Sequence, residues 1–101
     1  ILKETGIDRV IEKVIHRLGN LESVHLTGDF ARGKDSPVIE LILTGADIDR
    51  EYLARKIVQA EELVGRKVSY IVLEPHETEV HLGKLKPAEL LLLWKSDGEN
   101  G

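Results

Sequence analysis

The sequence contains no cysteine and no methionine, and only one tryptophan, one phenylalanine and two tyrosines among its 101 residues. Without cysteine there is no disulfide framework, no thiolate metal ligand and no thiol nucleophile. An excess of positive charge is also missing. Fourteen Lys and Arg stand against 18 Asp and Glu, a net charge of −4. This argues against a direct grip on duplex nucleic acid, because releasing counterions from phosphates needs a basic face. Nor is there a long apolar run: the longest, Leu90 to Trp94, is five residues, far short of the roughly 20 that a membrane-spanning helix needs. With no export signal either, a cytoplasmic location without membrane contact is expected.

What the sequence does contain is 42% hydrophobic and 32% charged residues, the balance of a folded globule large enough for its own core. Residues 1–95 read as one domain, and 96–101, polar and glycine-containing, as a flexible tail. Starting at Ile1 with no Met, the sequence reads as part of a longer protein.

Ile7, Val10, Ile11, Val14, Ile15 and Leu18 recur at helical spacing. They predict an amphipathic helix from about Gly6 to Leu18, with Thr5 as N-cap, Gly19 after its end and His16 solvated. Leu21–Thr27 predicts a strand with Leu21, Ser23 and His25 on one face and Glu22, Val24 and Leu26 on the other. His25 reads as a packed structural histidine, with a ligand role as the alternative. Val38–Thr44, apolar except for Glu40, is the clearest strand, and Lys67–Leu73 predicts a third, with Val68, Tyr70 and Val72 on one face. Between these two strands Asp47 or Asp49 caps a helix whose stripe Leu53, Ile57, Ala60, Leu63 and Val64 is expected to be buried and which Gly65 ends. Glu74-Pro75-His76 breaks the third strand. His76 and His81, with Glu74, Glu77 and Glu79, form a conceivable metal cluster, but a solvated acidic loop suits their spacing better. Pro87 followed by Ala-Glu-Leu favours a short helix over Ala88–Lys95, although four consecutive leucines also suit a buried strand.

The stretch from Leu26 to Leu43 carries the functional signal. An apolar strand runs into a loop with glycines at Gly28 and Gly33 and then into a second strand. Glycine permits the φ > 0 bends that turn successive backbone N–H groups toward an anion, and Arg32 and Lys34 stand beside them. Gly28, Asp29, Arg32, Gly33, Lys34 and Ser36 are therefore the candidate anion- or nucleotide-binding set, with an ordinary turn as the alternative. On the second strand Val38, Glu40 and Ile42 share a face. A carboxylate in such a run needs solvent, a cation or a basic partner such as Arg32 or Lys34.

Gly28-Asp29-Phe30-Ala31-Arg32-Gly33, followed by Ser36 and Val38-Ile39-Glu40-Leu41, resembles the signature of the polymerase-beta-like nucleotidyltransferases, particularly the minimal nucleotidyltransferase domains. In that family Gly-Ser, often followed by an aromatic or small residue and Ala-Arg-Gly, precedes Asp-x-Asp on the next strand. Here Asp29 takes the place of the serine, and Val38 and Glu40 those of the two aspartates. The resemblance implies an α+β fold: a small mixed β-sheet with helices packed on it, in the order α-β-β-α-β, followed by a C-terminal element of either kind.

The family's chemistry uses two divalent cations, usually magnesium, held by that carboxylate pair and a third acid from a neighbouring strand. Val38 cannot ligate, Lys67–Leu73 contains no acid, and Asp29 would repel incoming phosphates. The resemblance thus implies a catalytically silent domain serving as an effector-sensing or protein-interaction module of a larger transcriptional regulator. DNA would then be contacted through a winged helix-turn-helix region outside this sequence. The alternative is an active magnesium-dependent nucleotidyltransferase with relocated ligands, its candidate catalytic residues Glu40, Asp29 and Asp35 and its candidate metal ligand Glu40. A plain dimerisation domain, a homodimer whose loop binds nothing, is the third reading.

Overall fold

The computed structural model of the protein describes residues 7–15, 20–86 and 89–96. Four strands, β1 (Asn20–Thr27), β2 (Val38–Ala46), β3 (Lys67–Leu73) and β4 (Leu90–Lys95), form one mixed sheet in the order β3-β2-β1-β4. The helices are α1 (Ile7–Ile15), α2 (Gly28–Ala31), α3 (Arg50–Val64) and α4 (Pro75–Leu82). β1 runs antiparallel to both β2 and β4, whereas β2 and β3 are parallel. The parallel pair is the one joined by a long helix, α3, because a parallel connection needs a crossover.

Side-chain alternation gives the sheet two different faces. Toward α1 and α3 point Val24 and Leu26 of β1, Ile39, Leu41 and Leu43 of β2, and Val68 of β3, all buried against Val10, Ile11 and Val14 of α1 and Leu53, Ile57 and Ala60 of α3. Phe30 of α2 closes the same core. The α3 ends are built as the sequence suggests: Asp49 accepts a 3.0 Å hydrogen bond from the Tyr52 N–H as N-cap, and Gly65 takes the left-handed conformation at φ 69° after the last turn.

Several expectations are corrected. Leu90–Lys95 is a strand, not a helix. Its backbone pairs with β1, and a one-residue irregularity opposite Val24 and His25 lets both Leu93 and Trp94 pack on the core. A second irregularity, between Leu21 and Ser23 of β1, brings Leu21 into the core with Val24 and Leu26 instead of opposite to them. Pro75–Leu82 is a helix, not a solvated loop. Glu74 and Glu77 form a reciprocal capping box, and Pro75 occupies the first turn, where its missing N–H costs nothing. Leu63 is 46% exposed, outside the buried stripe of α3. Thr5, His16, Gly19, Pro87 and the tail 97–101 lie outside the described residues.

Candidate functional site

The two strands flanking the glycine loop are direct neighbours, with Thr27 opposite Glu40 in the β1–β2 register. At this corner Gly28 has φ 73°, a conformation that side chains with a Cβ rarely adopt. Space imposes the same choice. A Cβ on Gly28 would overlap Oε2 of Glu40 and lie 2.8 Å from its Cδ. The Glu40 carboxyl therefore occupies the room that the missing side chain leaves, against the backbone that opens the loop.

Glu40 is exposed, on the face away from the core, and forms no ion pair among the described residues. Directly across from it on β3 is Ser69. Thr27, Glu40, Ile42, Ser69 and Ile71 floor an open trough of about 190 Å³ that His81 and Leu85 border from the α4 side. α4 is held over the sheet at the other end of this face. The Thr78 hydroxyl lies within hydrogen-bond distance of both the buried Thr44 hydroxyl (3.1 Å) and the Glu74 carbonyl (3.2 Å), and its one proton serves either. None of Thr27, Ser69 and His81 was expected at the site. The first two were legible only through strand register, and His81 only once α4 is known to be a helix.

The loop itself is tightly cross-linked. Arg32 N–H and Lys34 N–H both donate to the Asp29 carbonyl (3.0 and 2.9 Å), and Gly33 N–H donates to that of Phe30 (3.0 Å). The Arg32 guanidinium pairs with the Asp29 carboxylate rather than with Glu40. Asp35 pairs with Arg66 at 3.1 Å. Ser36 turns inward, its Oγ accepting from the Val38 N–H at 3.1 Å. Lys34 is exposed and makes no ion pair among the described residues. The structure thus places Gly28, Glu40 and Asp29 at one corner and ties Asp35 to the far side of the loop.

His25 stands on the Glu40 face, opposite Ile42 on β2 and Leu92 on β4. Its Nδ1 is buried with no hydrogen-bond partner, and burial lowers its pKa below the ordinary histidine value. A neutral, packed imidazole agrees with the structural reading of this residue.

Magnesium takes hard oxygen donors in near-octahedral array, and a two-cation centre needs several carboxylates. Among the described residues no three His, Asp or Glu side chains converge. Among the described residues Glu40 is the one carboxylate lining the trough, and the neighbouring positions Val38 and Ser69 supply no charge. The donor set does not fit a two-cation site.

No protein-family model matches the sequence, and no curated protein matches it. Among solved structures, a candidate nucleotidyltransferase from Sulfolobus solfataricus superposes with a TM-score of 0.60 at 23% identity, covering 95% of this chain and 81% of that one. The chain has the nucleotidyltransferase fold. A mutant of the MntA-HpeT toxin-antitoxin matches with a TM-score of 0.65 at 14% identity, over 93% of this chain and 76% of that one. A toxin-antitoxin structure with AMP-PNP matches at 0.61 and 16%, over 98% and 78%. At these identities the agreement is one of fold.

Proposed function

We propose that this domain is a catalytically silent member of the nucleotidyltransferase fold that binds a nucleotide or another phosphate ligand and acts as a sensing or protein-interaction module. One observation carries the reading. The glycine corner is intact, with the Glu40 carboxyl filling the space beside Gly28, while among the described residues Glu40 stands as the single acid lining the trough and Asp29 and Asp35 are committed to Arg32 and Arg66. A site with one carboxylate leaves most of the charge of two divalent cations uncompensated. The exposed Lys34 ammonium, with no ion pair among the described residues, still offers an anion a favourable contact. That toxin-antitoxin structures share the fold, one of them with AMP-PNP, makes an adenine nucleotide and a protein partner the first ligands to test here. The wider setting, a transcriptional regulator with a separate DNA-binding module, is proposed from the sequence resemblance.

Titration with ATP and magnesium tests the proposal by separating binding from turnover. Saturable binding without transfer or hydrolysis is the expected result, and nucleotide transfer to a protein or small-molecule acceptor would establish the active reading instead. Installing the missing charge by Val38→Asp with Asp29→Ser should strengthen magnesium-dependent binding. An unchanged magnesium dependence would break the proposed correspondence between these positions and the family's ligands.

A further inference from the structure

One cation touches the glycine loop at both ends, although it lies 30 residues beyond Ser36 in sequence. Arg66 occupies the turn between Gly65, which closes α3, and Lys67, which opens β3. Its Nε donates to the Ser36 carbonyl at 3.2 Å and its Nη2 to Asp35 Oδ1 at 3.1 Å, while its guanidinium carbon lies 5.6 Å from the centre of the Phe30 ring. Phe30 belongs to the entry of the loop, just after Gly28 and Asp29, and is buried in the core. Asp35 and Ser36 belong to its exit. The Arg66 side chain is 25% exposed, so these contacts are partly shielded from water. The adjacent residue adds to the clamp, as Lys67 N–H donates to the Pro37 carbonyl at 3.1 Å.

We infer that Arg66 is the positioning residue of the phosphate-binding loop: it holds entry and exit at a fixed separation and so sets where Lys34 presents its charge beside the glycine corner. This rests on the reading of the loop as an anion site under the proposed function. The role assigned to Arg66 is positioning, because its Nε and Nη2 are turned to Ser36 and Asp35 of the loop itself. The role suits arginine in particular. A planar fork can hydrogen-bond in its plane and stack on an aromatic face at once, whereas lysine offers only a point charge. Ordering the loop beforehand removes a conformational cost that a phosphate ligand would otherwise meet on binding.

The test compares the full chain carrying Arg66→Ala, Arg66→Lys or Asp35→Asn with the unmodified protein, by amide hydrogen exchange and by titration with magnesium and ATP. In Arg66→Ala the amides of Arg32, Gly33 and Lys34 should exchange roughly tenfold faster or more, the loss of a charge-assisted contact, with β2 amides unchanged. Arg66→Lys should fall between the two, and Asp35→Asn should show a smaller acceleration at the same amides. ATP affinity should weaken in the same rank order. Loop exchange unchanged in a folded Arg66→Ala would overturn the inference, and so would lost ATP binding with an undisturbed loop, which would make Arg66 a direct ligand. Should Arg66→Ala fail to fold, Arg66→Lys and Asp35→Asn decide by the same criteria. If the unmodified protein binds no ATP, the phosphate-site reading fails while the exchange comparison still judges Arg66.

Discussion

On β2 the residues Ile39, Leu41 and Leu43 turn toward α1 and α3 and are at most 2% exposed, whereas Glu40, between the first two, is exposed on the opposite face. The first face is closed by two helices and belongs to one apolar cluster. The second is roofed only at one end, where Thr78 of α4 meets Thr44, and leaves Ile71 42% and Leu92 50% exposed. The difference separates the side of the strand that builds the core from the side that carries the exposed Glu40. A well-packed face tolerates little change, because every lost methylene leaves an unfilled space. An open face bears a carboxylate at small cost because water still reaches it.

The comparison is broken most directly by truncating one residue on each face. Leu43→Ala should cost about 2–5 kcal/mol in urea unfolding. Ile71→Ala, already half exposed, should cost no more than about 1 kcal/mol. Equal losses would mean that the second face is as well packed as the first.

Next in size is Gly28→Ala. The left-handed backbone alone penalises a Cβ by about 1–2 kcal/mol, and displacement of the Glu40 carboxyl adds to it. In combination with Glu40→Ala the second contribution should vanish and the first remain. A double-mutant cycle with no coupling would show that the two residues do not share the space.

Asp49→Ala removes the cap of α3 and should lower stability by about 1 kcal/mol, without effect on nucleotide binding. A change in ligand affinity would connect the two faces. The smallest effect concerns His25. Its pKa is lowered by burial in the folded state, so the unfolded chain binds the proton more readily. The associated stability is fully present above about pH 6.5 and is lost as the pH falls through the folded value. Unfolding midpoints measured between pH 7 and 5 should show this decline, and His25→Leu should flatten its contribution. A decline unaltered by that substitution would assign the proton to another group.

Much of the first face could be read from the amino acids. The helical spacing of Val10, Ile11 and Val14, the cap at Asp49 and the β-branched run of β2 all match their buried or capping positions. Readings failed where one local pattern suits two structures. Leu90–Trp94 is apolar at every position and carries no period, so only pairing with β1 makes it a strand. The acidic stretch after Glu74 hides a helix because no face of it is buried and its signal lies in the capping box alone. The site was half legible. Gly28 and Glu40 stand out by residue type and spacing, but Ser69 and His81 become their neighbours through register and through the placement of α4.

By itself the sequence determined the α+β character of the chain, the glycine hinge at Gly28 and the shortage of acids around Glu40, because conformational freedom and charge are properties of single residues. Only the tertiary structure decided which cations meet which acids. Arg32 turns to Asp29 and Arg66 reaches Asp35 across the loop, since ion pairing depends on distances that the folded sheet sets and that spacing along the chain does not encode.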